Sequence, residues 1–302
     1  MYQKILLTGT NGQVGHSLQA AFKTRGFPAE LIALDRNQLD LANTEQIRKM
    51  VRTIQPDLII NPAAYTAVDK AESETDLAYH INAIAPGILA EEAARLNAKL
   101  IHFSTDYVYN GRKLEAYQET DPTEPLSVYG QTKLAGEEAI RAVGVQHLIF
   151  RTAWVYGAYG KNFMKTILRL ASERETLNIV ADQVGTPTSS NAIAEATLQI
   201  VQQGDFEMSG VYHLVNSGQA SWFEFAQAIV EESNVLRQQE GKVGLLVKHI
   251  QPISTDQYPT PARRPANSLL ATGKLSKDFG IQMPHWRESL IKELSSFHAS
   301  NP

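Results

Sequence analysis

The sequence predicts an α/β fold, a doubly wound parallel sheet followed by a smaller C-terminal α/β substrate lobe. Three observations carry that expectation. Short β-rich apolar runs alternate with longer helical patterns, the mark of a parallel sheet with crossover helices. A glycine-rich turn follows the first run at once. Beyond about residue 152, glycine and proline become frequent and strand-like runs sparse. A chain of 302 residues also exceeds the usual single domain, so a main domain with a lobe is the natural division.

The strand candidates are "KILLTG", "ELIALD", "PDLIINPAA", "AKLIHFST" and "QHLIF". Between them, "NTEQIRKMVRTIQ" opens on an Asn-Thr cap and spaces its apolar residues at three and four, and "GQTKLAGEEAIRAVG" stops at Gly144. Residues 1–152 are expected to form a dinucleotide-binding domain and residues 153–302 mainly a substrate-binding lobe. The stretch "SSNAIAEATLQIVQQ", a helix near 189–203, packs on the first domain or on the lobe.

Composition narrows the function classes. A net charge of −4 without a long basic run argues against a nucleic-acid or anionic-membrane partner. With no cysteine, disulfides, thiolate nucleophiles and cysteine-ligated zinc are excluded, and a reducing cytoplasm suits the chain. The first strand begins almost at residue 1, which leaves no room for a secretory signal, and no apolar run reaches membrane-span length. The eight histidines are scattered without ligand-like spacing, so no metal is expected.

In "TGTNGQVG", Gly9, Gly12 and Gly15 join the first strand to a helix. Glycines there permit a tight turn, close backbone approach to a pyrophosphate and close helix packing, and the free amides of the helix start attract phosphate. Cofactor contacts are expected from Gly9, Asn11, Gly12, Gln13 and Val14. Asp35 ends the second strand, 20 residues beyond Gly15, where a carboxylate can accept from an adenosine ribose; the alternative is a strand-end cap. The fold is thus Rossmann-like. Arg36 suits a 2′-phosphate that Asp35 repels, so NADPH and NADH both fit, unless Arg36 is an exposed loop charge. Asp40 and Leu41 are candidates near the adenine, with Asp40 also reading as a turn residue before Asn43. The end of the third strand offers Ala63 and Ala64, small enough to let a cofactor pass close to backbone, followed by Tyr65 and Thr66.

Tyr129 and Lys133 stand at i and i+4 on one helical face. A cation near a phenol favours the phenolate and brings its pKa toward neutrality. Thr105, just after the fourth strand, can bond the same substrate oxygen, which makes a triad of Thr105, Tyr129 and Lys133. Alone, Y-x-x-x-K more often marks surface packing; the third member and the upstream glycine turn reverse that reading.

Together "TGTNGQVG", "STDYV" and "YGQTK" resemble the extended short-chain dehydrogenase/reductases. "AAYTAVDKAE", "ETDPTEPLSVYGQTKLAGE", "RTAWVYG", "DQVGTPT" and "YPTPARRPANS" narrow the resemblance to the dTDP-4-dehydrorhamnose reductase family over nearly the full length. The resemblance implies NAD(P)H-dependent reduction of the C4 ketone of dTDP-4-dehydro-L-rhamnose to dTDP-L-rhamnose, the last step of dTDP-rhamnose biosynthesis. It implies Tyr129 as proton donor, Lys133 as its tuner and ribose ligand, and Thr105 as a carbonyl-orienting donor. It further implies Asp106 and Trp154 in the sugar pocket, Asn82 in support, and Arg264 on the pyrophosphate with Arg263 as rival. Core packing is the alternative for Trp154, and a local cap or buried hydrogen bond for Asn82.

One departure concerns metal. Where some relatives hold a metal at a dimer interface with acidic side chains, this chain has His16-Ser17 and Ser190-Asn191, so neither a metal nor a dimer is assumed. Two alternatives remain: a nucleotide-sugar epimerase or dehydratase of the same superfamily, and a noncatalytic cofactor-binding regulatory subunit. Tyr107 follows "STD" where dehydratases carry glutamate, and the intact triad counts against the regulatory subunit.

Overall fold

A computed structural model describes residues 2–204, 206 and 208–300. Six strands, β1 (Lys4–Leu7), β2 (Glu30–Ala33), β3 (Leu58–Asn61), β4 (Lys99–Thr105), β5 (His147–Thr152) and β6 (Gly210–His213), form one sheet in the order β6-β5-β4-β3-β1-β2. Every pairing in it is parallel. Chain direction across the sheet reverses between β1 and β3, and the crevice beyond the carboxyl ends of those strands is where ligands bind in open α/β sheets.

Alternation along the strands supplies a core on each side. Leu7, Ile60, Ile101, Phe103, Leu148 and Phe150 pack with Leu18 and Phe22 of α1 (Gln13–Thr24) and with Ile193 and Leu198 of Ser190–Gln202. Leu6, Ile59, Leu100 and Ile149 face the other way, against α2 (Thr44–Ile54), α3 (Ala85–Leu96) and α4 (Val128–Val143). Asn43 caps α2 by accepting from the Gln46 amide at 3.0 Å, and Gly144 ends α4 in the left-handed conformation.

The chain crosses residue 152 and then comes back. The helix Ser190–Gln202, here α6 after α5 (Phe163–Glu173), packs along α1, and β6 extends the sheet beside β5. The lobe itself is built on α5, α7 (Trp222–Gln239) and α8 (Trp286–Ser300), whose Met164, Ile167, Phe225, Ile229, Leu290 and Leu294 share a separate core. Two-stranded pairings trim it: Thr176–Val180 with His249–Ile253, Val155–Tyr156 with Thr188–Ser189, and Val184–Gly185 with Ala220–Ser221. Among the described residues no helix is long and apolar enough to cross a membrane.

One local feature escapes periodicity. The helix entering α3 begins at Thr75–Tyr79 and passes through a π-turn, His80–Ile84. Such turns insert a residue into the helical ladder and often sit beside functional sites. This one carries Asn82.

Candidate active site

A cleft of about 750 Å³ runs along the carboxyl ends of β1, β3, β4 and β5. At one end lies the glycine turn. Gly9 has a φ of +60°, and a Cβ on it would come within 2.8 Å of the Ala63 Cα; a Cβ on Gly15 would lie 2.2 Å from the Gly9 carbonyl oxygen. The first and third glycines therefore close the turn against β3 and α1. A Cβ at Gly12 would meet only the Gly9 carbonyl oxygen, at 3.2 Å, so this position keeps the helix start accessible. No side chain caps α1 and its first turn holds no acidic residue, which leaves its opening amides to an anion. Gly9, Asn11, Gly12, Gln13, Val14, Arg36, Asp40, Leu41, Ala63, Ala64, Tyr65 and Thr66 all line the cleft. These features fit a dinucleotide.

Asp35 does not line it. Its Oδ1 accepts from the Asn37 and Gln38 amides at 2.9 and 3.1 Å, and its Oδ2 from Asn11 at 3.3 Å, so the carboxylate braces its own turn and the glycine turn. Arg36 is mostly exposed, with Nε 3.9 Å from Asp40 Oδ1. Asp40 accepts from the Ala42 amide at 3.1 Å.

Thr105, Asp106, Tyr129, Lys133 and Trp154 gather at the other end. Ser127 caps α4 and sets the first turn, from which Tyr129 faces the cleft; a Cβ on Gly130 would lie 2.3 Å from the Tyr107 carbonyl oxygen, so α4 starts tight against the end of β4. Tyr107 stands edge-on to Tyr129, ring centres 5.5 Å apart. Burial pushes the Tyr129 phenol up to about 12, with the Thr105 hydroxyl pulling the other way and the Asp106 charge adding to the rise.

Lys133 is buried and does not spend its hydrogen bonds on the phenol. Its Nζ donates to the Phe103 carbonyl at 2.6 Å and contacts His102 Nε2 at 3.1 Å. Burial brings the ammonium down to about 8, with Glu137 opposing. The expected acidification of Tyr129 by Lys133 is therefore absent from this arrangement: the ammonium turns to groups of β4, and desolvation dominates the phenol.

Asp106 is 2% exposed and its Oδ2 has no hydrogen-bond partner; Oδ1 accepts from Thr105 at 3.0 Å. Burial pushes this carboxyl up to about 6, with Ser268 and Thr105 opposing. Thr152, also on the cleft wall, has a second buried oxygen without a partner. Trp154 holds a φ of +49°, strained for an aromatic residue by ~1–3 kcal/mol, and its ring stacks on Trp222 at 3.5 Å. The ring lines the cleft and also packs against a small core that includes Val108, Tyr109 and Tyr117.

The chain matches the RmlD substrate binding domain family over residues 3–298. It belongs to that family. Relatives include the dTDP-4-dehydrorhamnose reductase of Burkholderia thailandensis, 46% identical over 290 residues that cover 94% of this chain and 95% of the relative. The Escherichia coli K12 protein of the same name is 43% identical over 297 residues, covering 96% and 97%. Among solved structures, a dTDP-4-dehydrorhamnose reductase from Bacillus anthracis in complex with NADP superposes with a TM-score of 0.89 at 36% identity, over 98% of this chain and all of that one. A UDP-glucose 4-epimerase from Thermus thermophilus, 20% identical with a TM-score of 0.79, shares the fold.

Two residues picked out by resemblance to this RmlD family lie outside the cleft. Asn82 is 1% exposed and clamps Tyr65, accepting from its amide at 2.8 Å and donating to its carbonyl at 3.1 Å, with a further bond to Thr132. It shapes the wall at Ala63 to Thr66. Arg264 bonds Asp69 at 3.0 Å and also the Thr260 hydroxyl, joining the proline-rich loop to the loop after β3. Ser17 and Ser190, from the positions read for metal, bond one another at 2.9 Å, and His16 stacks on Tyr159 at 3.9 Å.

Sequence reasoning missed Tyr107, Thr152, Gly160 and Lys161 on the cleft wall and His102 beneath it. For His102 a signal existed: it is a ring nitrogen donor and acceptor inside "LIHF", an otherwise apolar run.

Proposed function

We propose that this chain reduces the C4 ketone of dTDP-4-dehydro-L-rhamnose to dTDP-L-rhamnose, the closing step of dTDP-rhamnose biosynthesis, with NADPH or NADH as reductant. One observation carries the reading: Thr105, Asp106, Tyr129 and Lys133 converge at one end of a cleft whose other end is the glycine turn, within a chain matched end to end by reductase relatives. The first lobe would hold the dinucleotide, with residues 9–14 on its phosphates and Ala63 to Thr66 along its length. The C-terminal lobe would hold the sugar nucleotide, with Trp154 and Asp106 facing the hexose.

When bound, the reduced nicotinamide supplies the hydride for C4. Tyr129 gives its proton to the ketone oxygen as that oxygen gains charge. A phenol near 12 is protonated at neutral pH and is still a stronger acid than the alcohol it makes, so it serves as donor without prior acidification. Thr105 donates to the same oxygen, a contribution of ~3 kcal/mol for one well-placed donor. Lys133, charged below pH of about 8, holds the ribose side of the cofactor. Asp106 presents its unpartnered oxygen to a sugar hydroxyl.

The test supplies dTDP-4-dehydro-L-rhamnose with NADPH or NADH and follows cofactor oxidation. Tyr129→Phe is expected to lower kcat by about 10²- to 10⁴-fold with cofactor binding retained. Near-normal turnover in that variant would end the assignment of the acid.

A further inference from the structure

Beneath the cleft floor, a chain of buried polar groups leads away from Lys133. His102 on β4 is fully buried, and its Nε2 lies 3.1 Å from Lys133 Nζ. Its Nδ1 lies 3.1 Å from the side-chain amide of Asn61, at the end of β3. The other end of that amide is 2.6 Å from the hydroxyl of Thr8, which opens the glycine turn. All four side chains are buried, and together they run from α4 through β4 and β3 to the turn after β1.

Donor counting fixes the tautomer. An ammonium has only protons to give, so His102 Nε2 accepts. Burial and the charge of Lys133 hold the imidazole well below its ordinary pKa, so the ring is neutral and its single proton is on Nδ1. As placed, the Asn61 NH₂ faces His102 Nδ1 and its carbonyl accepts from the Thr8 hydroxyl; an Nδ1–H ring calls for the flipped amide, carbonyl toward His102 and NH₂ toward Thr8, an exchange that leaves the heavy-atom positions unchanged and that a hydroxyl accommodates either way. Other groups facing Lys133 do not replace this contact. Glu137, one turn along α4, is tied to Arg151 of β5 and to Ser104, and Tyr129 faces the cleft. An uncharged acceptor suits the place. A carboxylate would cancel the cation, and an apolar residue would leave it short of an acceptor.

Building on the reading of Lys133 given above, we propose that His102, locked as its Nδ1–H tautomer by Asn61 and Thr8, is a positioning residue that holds the Lys133 ammonium beneath the reacting end of the cleft. Glutamine at position 102 places an acceptor where Nε2 stands; asparagine reaches only as far as Nδ1. The pair is therefore diagnostic.

His102→Asn is expected to lower kcat roughly 10- to 100-fold, the scale of a misplaced active-site group. In the cofactor-free protein, the Nζ titration of Lys133 by NMR should move to lower pH in that variant, and the alkaline limb of kcat/KM should follow. His102→Gln should retain most of kcat with both titrations unmoved. Asn61→Leu removes the acceptor that locks the tautomer, so it too should shift the Lys133 titration downward. Equal kcat and equal titrations in the Gln and Asn variants would overturn the proposal, as would an unmoved titration in Asn61→Leu. Tyr129→Phe measured alongside separates the two levels: an inactive Tyr129→Phe with a wild-type His102→Asn removes His102 alone, whereas an active Tyr129→Phe removes the acid on which the whole reading rests.

Discussion

Lys133 and Glu137 sit one turn apart on α4, both fully buried, and their surroundings are opposite. Glu137 is satisfied by opposite charge. Arg151 reaches it through Nη2 at 2.6 Å and Nε at 2.9 Å, and Ser104 donates at 2.5 Å. Lys133 meets only a carbonyl and a neutral ring. The pair near β5 is a closed account of charge that fixes α4 to the sheet, whereas the cation near the cleft keeps its charge available to a ligand. Burial alone thus does not mark a functional ion; what surrounds it does.

The largest expected effect attacks the closed pair. Glu137→Gln strands the buried Arg151 guanidinium, and denaturant unfolding should register a loss of about 3–5 kcal/mol. A loss below ~1 kcal/mol would abolish the contrast between the two buried ions. Lys133→Met should do the reverse, lowering kcat/KM by about 10²- to 10³-fold while stability stays within ~1 kcal/mol of the parent or rises. The contrast sharpens with pH. Lys133 has its pKa depressed to about 8, so the charged form, and with it kcat/KM, is present below that value and lost as pH rises through it. The sign for folding is opposite: between about 8 and the unfolded lysine value of about 10.4, the unfolded chain binds the extra proton, so stability rises with pH. A flat rate profile from pH 7 to 10 would contradict the assignment. The smallest effect belongs to Arg36. Because its side chain is 72% exposed, Arg36→Ala should weaken NADPH by only ~0.5–1 kcal/mol and leave NADH unchanged, as read by titration of cofactor fluorescence. Equal weakening of both cofactors would show that Arg36 does not read the 2′-phosphate.

Much of this was legible in the sequence because it rests on local chemistry. The alternation of apolar runs marks β1 to β5, Asn43 and Gly144 mark helix ends, and the glycine turn, Thr105, Tyr129 and Lys133 lie together along one cleft. What stayed hidden depends on contacts across the chain. The π-turn at Asn82 leaves no periodic trace, and β6 is four residues long and separated from β5 by α5 and α6. Asp35 reads as a ribose ligand by spacing, yet its oxygens are engaged by Asn37, Gln38 and Asn11. Helical spacing points Lys133 at the phenol one turn away or at a ribose beside it, because spacing along a helix is visible in sequence and depth beneath a sheet is not. In the structure its Nζ contacts the His102 ring and the Phe103 carbonyl.

The return of residues 190–213 to the first layer bears on how the protein is made. When β5 leaves the ribosome, its outer edge still lacks β6 and the apolar face of α1 still lacks α6. Those surfaces remain bare until some sixty more amino acids have been added, and in that interval a nascent chain is open to chaperones and to adhesion with its neighbours. A gene fragment cut after the fifth strand would keep both liabilities permanently.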